Sequence, residues 1–259
     1  MYVAIYSIIV WIATFIGAIT GLGGGIIIKP AFDFVGLDQA AMISVYSTIA
    51  VFSMCIVSLY KRWDDVKNSQ RKIALGLSVG SIVGGLSGEQ IFQMALQYWG
   101  NRLVSLSQSI LLVIILVGII VYAFFQEKIA THSLNQLFGI MVLGWGVGLV
   151  SVFLGIGGGP LNIVLLLYFF SMKSKEAAFY SIQMIFFAQI MKMGSIVTHL
   201  HQIEWNGLLV VLIIVFAFLG GYIGTKIQKK LTHQQVLTCY HLLMILLLFI
   251  NLYNVYQRL

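Results

Sequence analysis

The sequence predicts an all-α polytopic membrane protein: two inverted repeats, with about eight long transmembrane helices and two short half-helices following glycine breaks. Three observations carry this expectation: composition, the length of the apolar runs, and an internal duplication. Of 259 residues, 60% are hydrophobic and only 9% are charged, about a third of the usual charged share of a soluble domain. With 15 Lys and Arg and 8 Asp and Glu, a soluble fold could not cover that much apolar surface. Disorder needs the opposite composition. The net charge of +7 does not point to nucleic acid, because in a membrane protein excess Lys and Arg sets orientation in the bilayer.

A spanning helix needs about 20 mostly apolar residues. Long segments of that kind run at roughly 3–22, 42–60, 73–95, 104–125, 134–154, 177–199, 206–225 and 236–254. The first lacks a basic leader and a small-residue cleavage site, so it reads as a retained membrane segment. Two shorter runs, 26–36 and 160–171, would reach only about 16–18 Å as helix, roughly half of a bilayer core. The runs are continuously apolar and do not alternate, which disfavours a β-barrel. Connections are short, so residues 1–259 read as a single membrane transporter domain.

The chain matches itself at an offset of 134. Gly21-Leu22-Gly23-Gly24-Gly25 pairs with Gly155-Ile156-Gly157-Gly158-Gly159, and Tyr46-Ser47 pairs with Tyr180-Ser181. With two extra residues in the second half, Gly84–Gly88 pairs with Gly220–Gly224. Repeat one then covers about 1–126 and repeat two about 127–259. Lys61, Arg62, Lys67, Arg71 and Lys72 place the 61–72 loop in the cytoplasm. A parallel arrangement would put Lys173, Lys175, Lys226, Lys229 and Lys230 outside. Inversion joins them, with Lys128, to the inner set, so that 11 of the 15 basic residues are cytoplasmic. Outer loops keep only Arg102 and Arg258. Each glycine break then belongs to a hairpin that enters and leaves on one side, and both termini are extracytoplasmic.

GLGGG and GIGGG lack the Lys-Ser/Thr of a P-loop and the third glycine of a dinucleotide fingerprint, since Ile26 and Pro160 stand there. Consecutive glycines release the helix, and irregular backbone at membrane depth is tolerated only inside protein or along a wet cavity. The short helices then start near Ile26 and Pro160, with Pro160 suited to a first turn. Two helix N-termini facing each other at the midplane would make an anion site from backbone N–H groups. Close helix packing is the plainer role for the same glycines.

On this reading the candidate substrate-binding residues include Gly23, Gly24, Gly25, Gly157, Gly158 and Gly159 at the breaks. Asn162 lies in the first turn of the second half-helix. Lys29 lies about one turn into the first; an intramembrane Lys is costly, although it can also snorkel to an interface. Ser181, Gln189 and Lys192 share one face of the 177–199 helix. Their counterparts Ser47, Cys55 and Ser58 also form a small or polar stripe. Lys192 reads as an anion contact, against an ion pair or snorkelling; Gln189 as a pathway residue, against an interhelix hydrogen bond. Glu89 is the candidate coupling carboxylate or the partner of Lys192, against a place at the outer interface; Asp33 carries the same ambiguity. His199 and His201 are two apart and do not share a face, so no metal is expected. Cys55 and Cys239 form no disulfide or zinc pattern. No Ser/His/Asp set suggests an enzyme, and no cofactor and no nucleic-acid partner is expected. A homodimer stays open, because uniformly apolar helices reveal no interface.

The stretch Gly21–Pro30 and the second copy at Gly155–Gly159 resemble the TauE/SafE family of sulfite exporters and related organosulfonate permeases, over nearly the whole chain. The resemblance implies a multi-pass protein of the cytoplasmic membrane that moves small sulfur-containing anions. Two places depart from the family's usual Gly-Thr-Ser: Val45-Tyr46-Ser47 and Phe179-Tyr180-Ser181. The tyrosines there narrow the site or add a hydroxyl donor. The resulting expectation is a secondary transporter, most simply an exporter of sulfite or an organosulfonate. Its alternating access would centre on the two helix N-termini. An anion channel, a transporter of another small anion and a non-transporting membrane scaffold are the competing readings.

Overall fold

The apolar runs form helices, and each ends where glycine or a charged cluster interrupts it. The computed structural model describes residues 2–125, 133–156, 159–198 and 206–258; among them every regular element is a helix. In chain order these are α1 (Tyr2–Thr20), α2 (Gly25–Val35), α3 (Ala40–Lys61), α4 (Trp63–Asn68), α5 (Arg71–Phe125), α6 (Leu137–Leu154), α7 (Gly159–Phe170), α8 (Ser174–Thr198), α9 (Gly207–Lys230) and α10 (His233–Arg258). The expected residues Gly157, Gly158, Lys128, His199 and His201 lie outside the described residues.

Both half-helices form, at 11 and 12 residues. One detail matches the sequence expectation closely and one differs from it. The segments 73–95 and 104–125 form two helical arms of α5 that break at Gly100, whose φ of 72° and ψ of 171° lie outside helical geometry and suit glycine. The 61–72 loop also contains α4, opened by Asp64 and Asp65 at its positive N-terminal end. Among the described residues six helices are long and apolar enough to cross a membrane: α1, α3, α5, α6, α9 and α10. The fold is thus a polytopic α-helical membrane protein. At 25 residues α8 is long enough, but Lys175, Glu176, Gln183, Gln189 and Lys192 leave it without a membrane-length window as apolar as those of the six.

Packing exchanges partners between the halves. α1 packs along α9, and α6 along the first arm of α5. Small residues let these backbones approach closely. A methyl group on Gly84 would strike the Trp145 carbonyl oxygen, and one on Gly220 would come 2.8 Å from that of Trp11. Trp11 and Trp145 are 134 apart, while Gly84 and Gly220 are 136 apart, so one contact occurs twice with the halves swapped. Polarity is inside-out for water but right for lipid: Phe124, Phe138 and Leu208 are exposed, whereas Ser47, Asn162 and Ser181 are fully buried.

Candidate functional site

The two glycine breaks meet at the centre. Gly21, Gly23 and Gly24 all take positive φ, between 75° and 83°, so the chain reverses tightly before α2 starts. A methyl on Gly25 would strike the Ile156 carbonyl oxygen, and one on Gly159 would strike that of Leu22. Each half-helix therefore begins against the break of the other half.

The serines of the matched Tyr-Ser pairs hold this crossing together. Ser47 Oγ donates to the Gly155 carbonyl at 3.1 Å, and Ser181 Oγ donates to the Gly21 carbonyl at 2.7 Å. The tyrosines act one step further out: Tyr180 Oη accepts from the Gln70 N–H at 2.9 Å, and Tyr46 Oη accepts from the Asn206 N–H at 3.4 Å. Every one of these contacts recurs with the halves exchanged.

One side of the crossing carries charge. Lys29 Nζ and Asp33 Oδ2 form a buried ion pair at 3.2 Å, one helical turn apart on α2. A methyl on Gly155 would lie 3.3 Å from Ser44 Oγ and 3.5 Å from the Lys29 stem, so both side chains stand beside the second break. Lys192 Nζ donates to Ser44 Oγ at 2.6 Å and to the Val152 carbonyl at 3.3 Å; Glu89 Oε2 lies 3.5 Å away and the Phe92 ring centroid 4.5 Å. Glu89 Oε1 accepts from Gln93 at 2.6 Å and from Ser195 at 3.4 Å. Glu89 is thus the partner of Lys192, one of the two roles its place in the sequence left open. Ser44, Glu89 and Lys192 also line a cavity of about 490 Å³.

Two other expected residues hold buried polar atoms without partners. Asn162 is 1% exposed and neither side-chain amide atom has a hydrogen-bond partner; the same holds for Gln189 Oε1. A buried amide with nothing to bond costs about 1–3 kcal/mol, and unpaired groups of this kind call for an explanation. Gly23, Gly24, Gly25 and Gly159 are buried backbone at the crossing. Ser44 was the main omission, and its signal was available: Ser44, Ser47, Cys55 and Ser58 continue one face of α3. Among the described residues no cluster of His, Cys, Asp or Glu could hold a metal ion.

Apolar helices on the outside, interrupted helices at the core and buried lysine–carboxylate pairs beside them define the class: a multi-pass membrane transporter. The chain belongs to the sulfite exporter TauE/SafE family, whose profile matches residues 6–252. It is also similar to the "Probable membrane transporter protein YunE" of Bacillus subtilis (strain 168), at 23% identity over 91% of this chain and 92% of that protein. No solved structure matches.

Proposed function

We propose that this transporter carries a small sulfur-containing anion, sulfite or an organosulfonate, outward by alternating access around the crossing of the two breaks. The observation that carries this reading is the lysine cluster. Lys29 and Lys192 are both buried and both reach the second break, one through its stem against Gly155 and the other through Ser44 and the Val152 carbonyl. An anion placed there would meet two ammonium groups and the start of α7. Asn162 and Gln189 offer the buried amides that such a substrate would need.

Ser47 and Ser181 spend their hydroxyl protons on the breaks, so they act as positioning residues that hold the backbone at Gly155 and Gly21. Glu89 pairs with Lys192. A substrate anion competes with Glu89 for the same ammonium, so loading displaces the carboxylate, and this competition links occupancy to the conformational change. Export needs no further energy source where the cytoplasm is negative, since the potential supplies about 2.3 kcal/mol per charge per 100 mV.

The membrane arrangement proposed is eight crossings in two inverted repeats, within one domain. Contacts that recur with the halves exchanged support a twofold relation. Inversion is supported by the basic loops: Lys61, Arg62, Lys173, Lys175 and Lys229 gather at one end, where Lys229 Nζ donates to the Lys61 carbonyl and Lys175 Nζ to the Lys229 carbonyl. Parallel halves would separate them. A homodimer is compatible with the exposed apolar faces.

Proteoliposome flux tests the substrate, with sulfite, thiosulfate, sulfate, taurine and sulfoacetate supplied in turn. Saturable flux of sulfite or a sulfonate is expected; movement of none of these anions contradicts the reading. In a cysteine-free background, Ser69→Cys and Thr232→Cys should label from the same side of the membrane. Labelling from opposite sides rules out inversion.

A further inference from the structure

The end of the molecule opposite Lys192 holds a second cavity, of about 700 Å³, among the basic loops. α3 separates the two cavities: Ala41 and Met42 at its start line the first, and Arg62 just past its end lines the second. Twenty-two residues of helix span about 33 Å. The cavities are built from matched positions. Val45, Ile196 and Phe92 of the first correspond to Phe179, Arg62 and Gln228 of the second, at offsets of 134, 134 and 136. Where one cavity has an apolar pair, the other therefore has two donors.

Those donors are unusual. Arg62 and Gln228 are each 2% exposed, yet Arg62 Nε and Nη2 and Gln228 Nε2 meet no hydrogen-bond acceptor. Buried arginine is ordinarily paired, and leaving charged donors unpaired is costly. Burial pushes the Arg62 guanidinium down to about 10, with the Asp65 charge pulling the other way, so it stays cationic at neutral pH. Lys173, Lys175 and Lys229 also line the cavity; Asp64, Asp65 and Glu176 are the opposing charges. Lys175 and Lys229 already donate to backbone carbonyls and Lys173 is exposed, so Arg62 and Gln228 are the buried donors left to hold a ligand. A guanidinium fork with an amide lining the same cavity suits an oxyanion.

We propose that Arg62 and Gln228 form a second oxyanion site, which holds a free small anion such as sulfite or sulfate at the basic-loop mouth of the molecule. The transport reading decides only the choice of probe; the site itself does not depend on Lys192 touching substrate.

The test is equilibrium binding of radiolabelled sulfite and, separately, sulfate to the purified full chain in a neutral detergent, with each variant's melting temperature checked. The wild type should bind two ions per chain of at least one probe. Arg62→Gln should remove one site and keep the other, and Lys192→Met should do the reverse. Gln228→Leu keeps the guanidinium and should weaken the Arg62 site about tenfold, the effect of one hydrogen bond to a charged group. A single site that is lost in Arg62→Gln and kept in Lys192→Met supports the Arg62 site and contradicts the Lys192 one. Binding unchanged in both Arg62→Gln and Gln228→Leu overturns the proposal, as does a single site that survives Arg62→Gln, or a wild type that binds neither probe. If Arg62→Gln does not fold, Gln228→Leu decides: weakened binding supports the site and unchanged binding overturns it. Added phosphatidylglycerol should leave the count at two. If it displaces the ion at Arg62, the site takes a lipid phosphate and the free-anion proposal fails.

Discussion

At one end of the molecule Lys192 meets Glu89; at the matched place at the other end, Ser58 Oγ accepts from Thr225 Oγ1 at 3.0 Å. Lys192 and Ser58 are 134 apart, and Glu89 and Thr225 are 136 apart. One scaffold thus carries a charged pair in one copy and a neutral pair in the other. Both pairs join α3 or α8 to the long helix it packs against, so structure alone requires nothing more than the neutral version. A buried ion pair costs several kcal/mol of desolvation per ion and rarely improves stability over a neutral replacement. The charged version sits where the Lys29–Asp33 pair and the second break converge, which argues that its role is to meet a ligand.

Breaking the charged pair should have the largest effect. Lys192→Met leaves Glu89 buried without a counter-ion and should cost about 3–5 kcal/mol. Thermal unfolding in detergent reads this loss. Lys192→Met with Glu89→Gln should recover most of it, because no buried charge is then orphaned. If the double variant is no more stable than the single one, the pair is not coupled as described.

Glu89→Gln separates the role of competitor from that of stabiliser. It leaves the ammonium to Ser44 and the Val152 carbonyl, so it should bind sulfite about tenfold more tightly, a gain of about 1.4 kcal/mol. Weaker binding would mean that Glu89 helps to hold the anion and does not compete with it.

The neutral end should respond less. Ser58→Ala removes one hydrogen bond, worth about 1 kcal/mol, and should change sulfite flux by less than threefold. A loss as large as that from Lys192→Met would mean that both ends bind substrate alike. The tyrosine contacts should matter least: Tyr46→Phe and Tyr180→Phe each remove a single acceptor, at about 1 kcal/mol or below, and Tyr180→Phe should cost more because its contact is the shorter one.

Much of this comparison was legible in the sequence. The duplicated GxGGG, the half-length runs after it and Lys192 on a stripe with Ser181 and Gln189 pointed to the crossing. Each signal also had a plainer reading, close helix packing for the glycines and an ion pair for the lysine, and the structure shows both of those contacts. Pairings were less legible. That Ser47 bonds the break of the other half, or that α1 packs on α9, depends on how the halves interlock, and spacing within one segment does not encode that. Ser44 was passed over although it extends the Ser47, Cys55 and Ser58 face, because a single serine in an apolar helix is common; its contact with Lys192 is what gives it a role. Arg62 was counted toward topology, as a loop cation, because burial at a helix end is not visible in a sequence. The break between the two arms of α5 was legible at Trp99-Gly100-Asn101, and only its brevity, one residue outside helical geometry, was not.

The central claim is that Lys192 contacts the transported anion. Sulfite efflux from proteoliposomes under an inside-negative potential tests it, comparing the wild type with the Lys192→Met, Glu89→Gln double variant, which keeps the fold without the charges. The account predicts saturable efflux from the wild type and a loss of at least a hundredfold in the double variant, with Ser58→Ala close to wild type. A folded double variant that exports sulfite at the wild-type rate would contradict it.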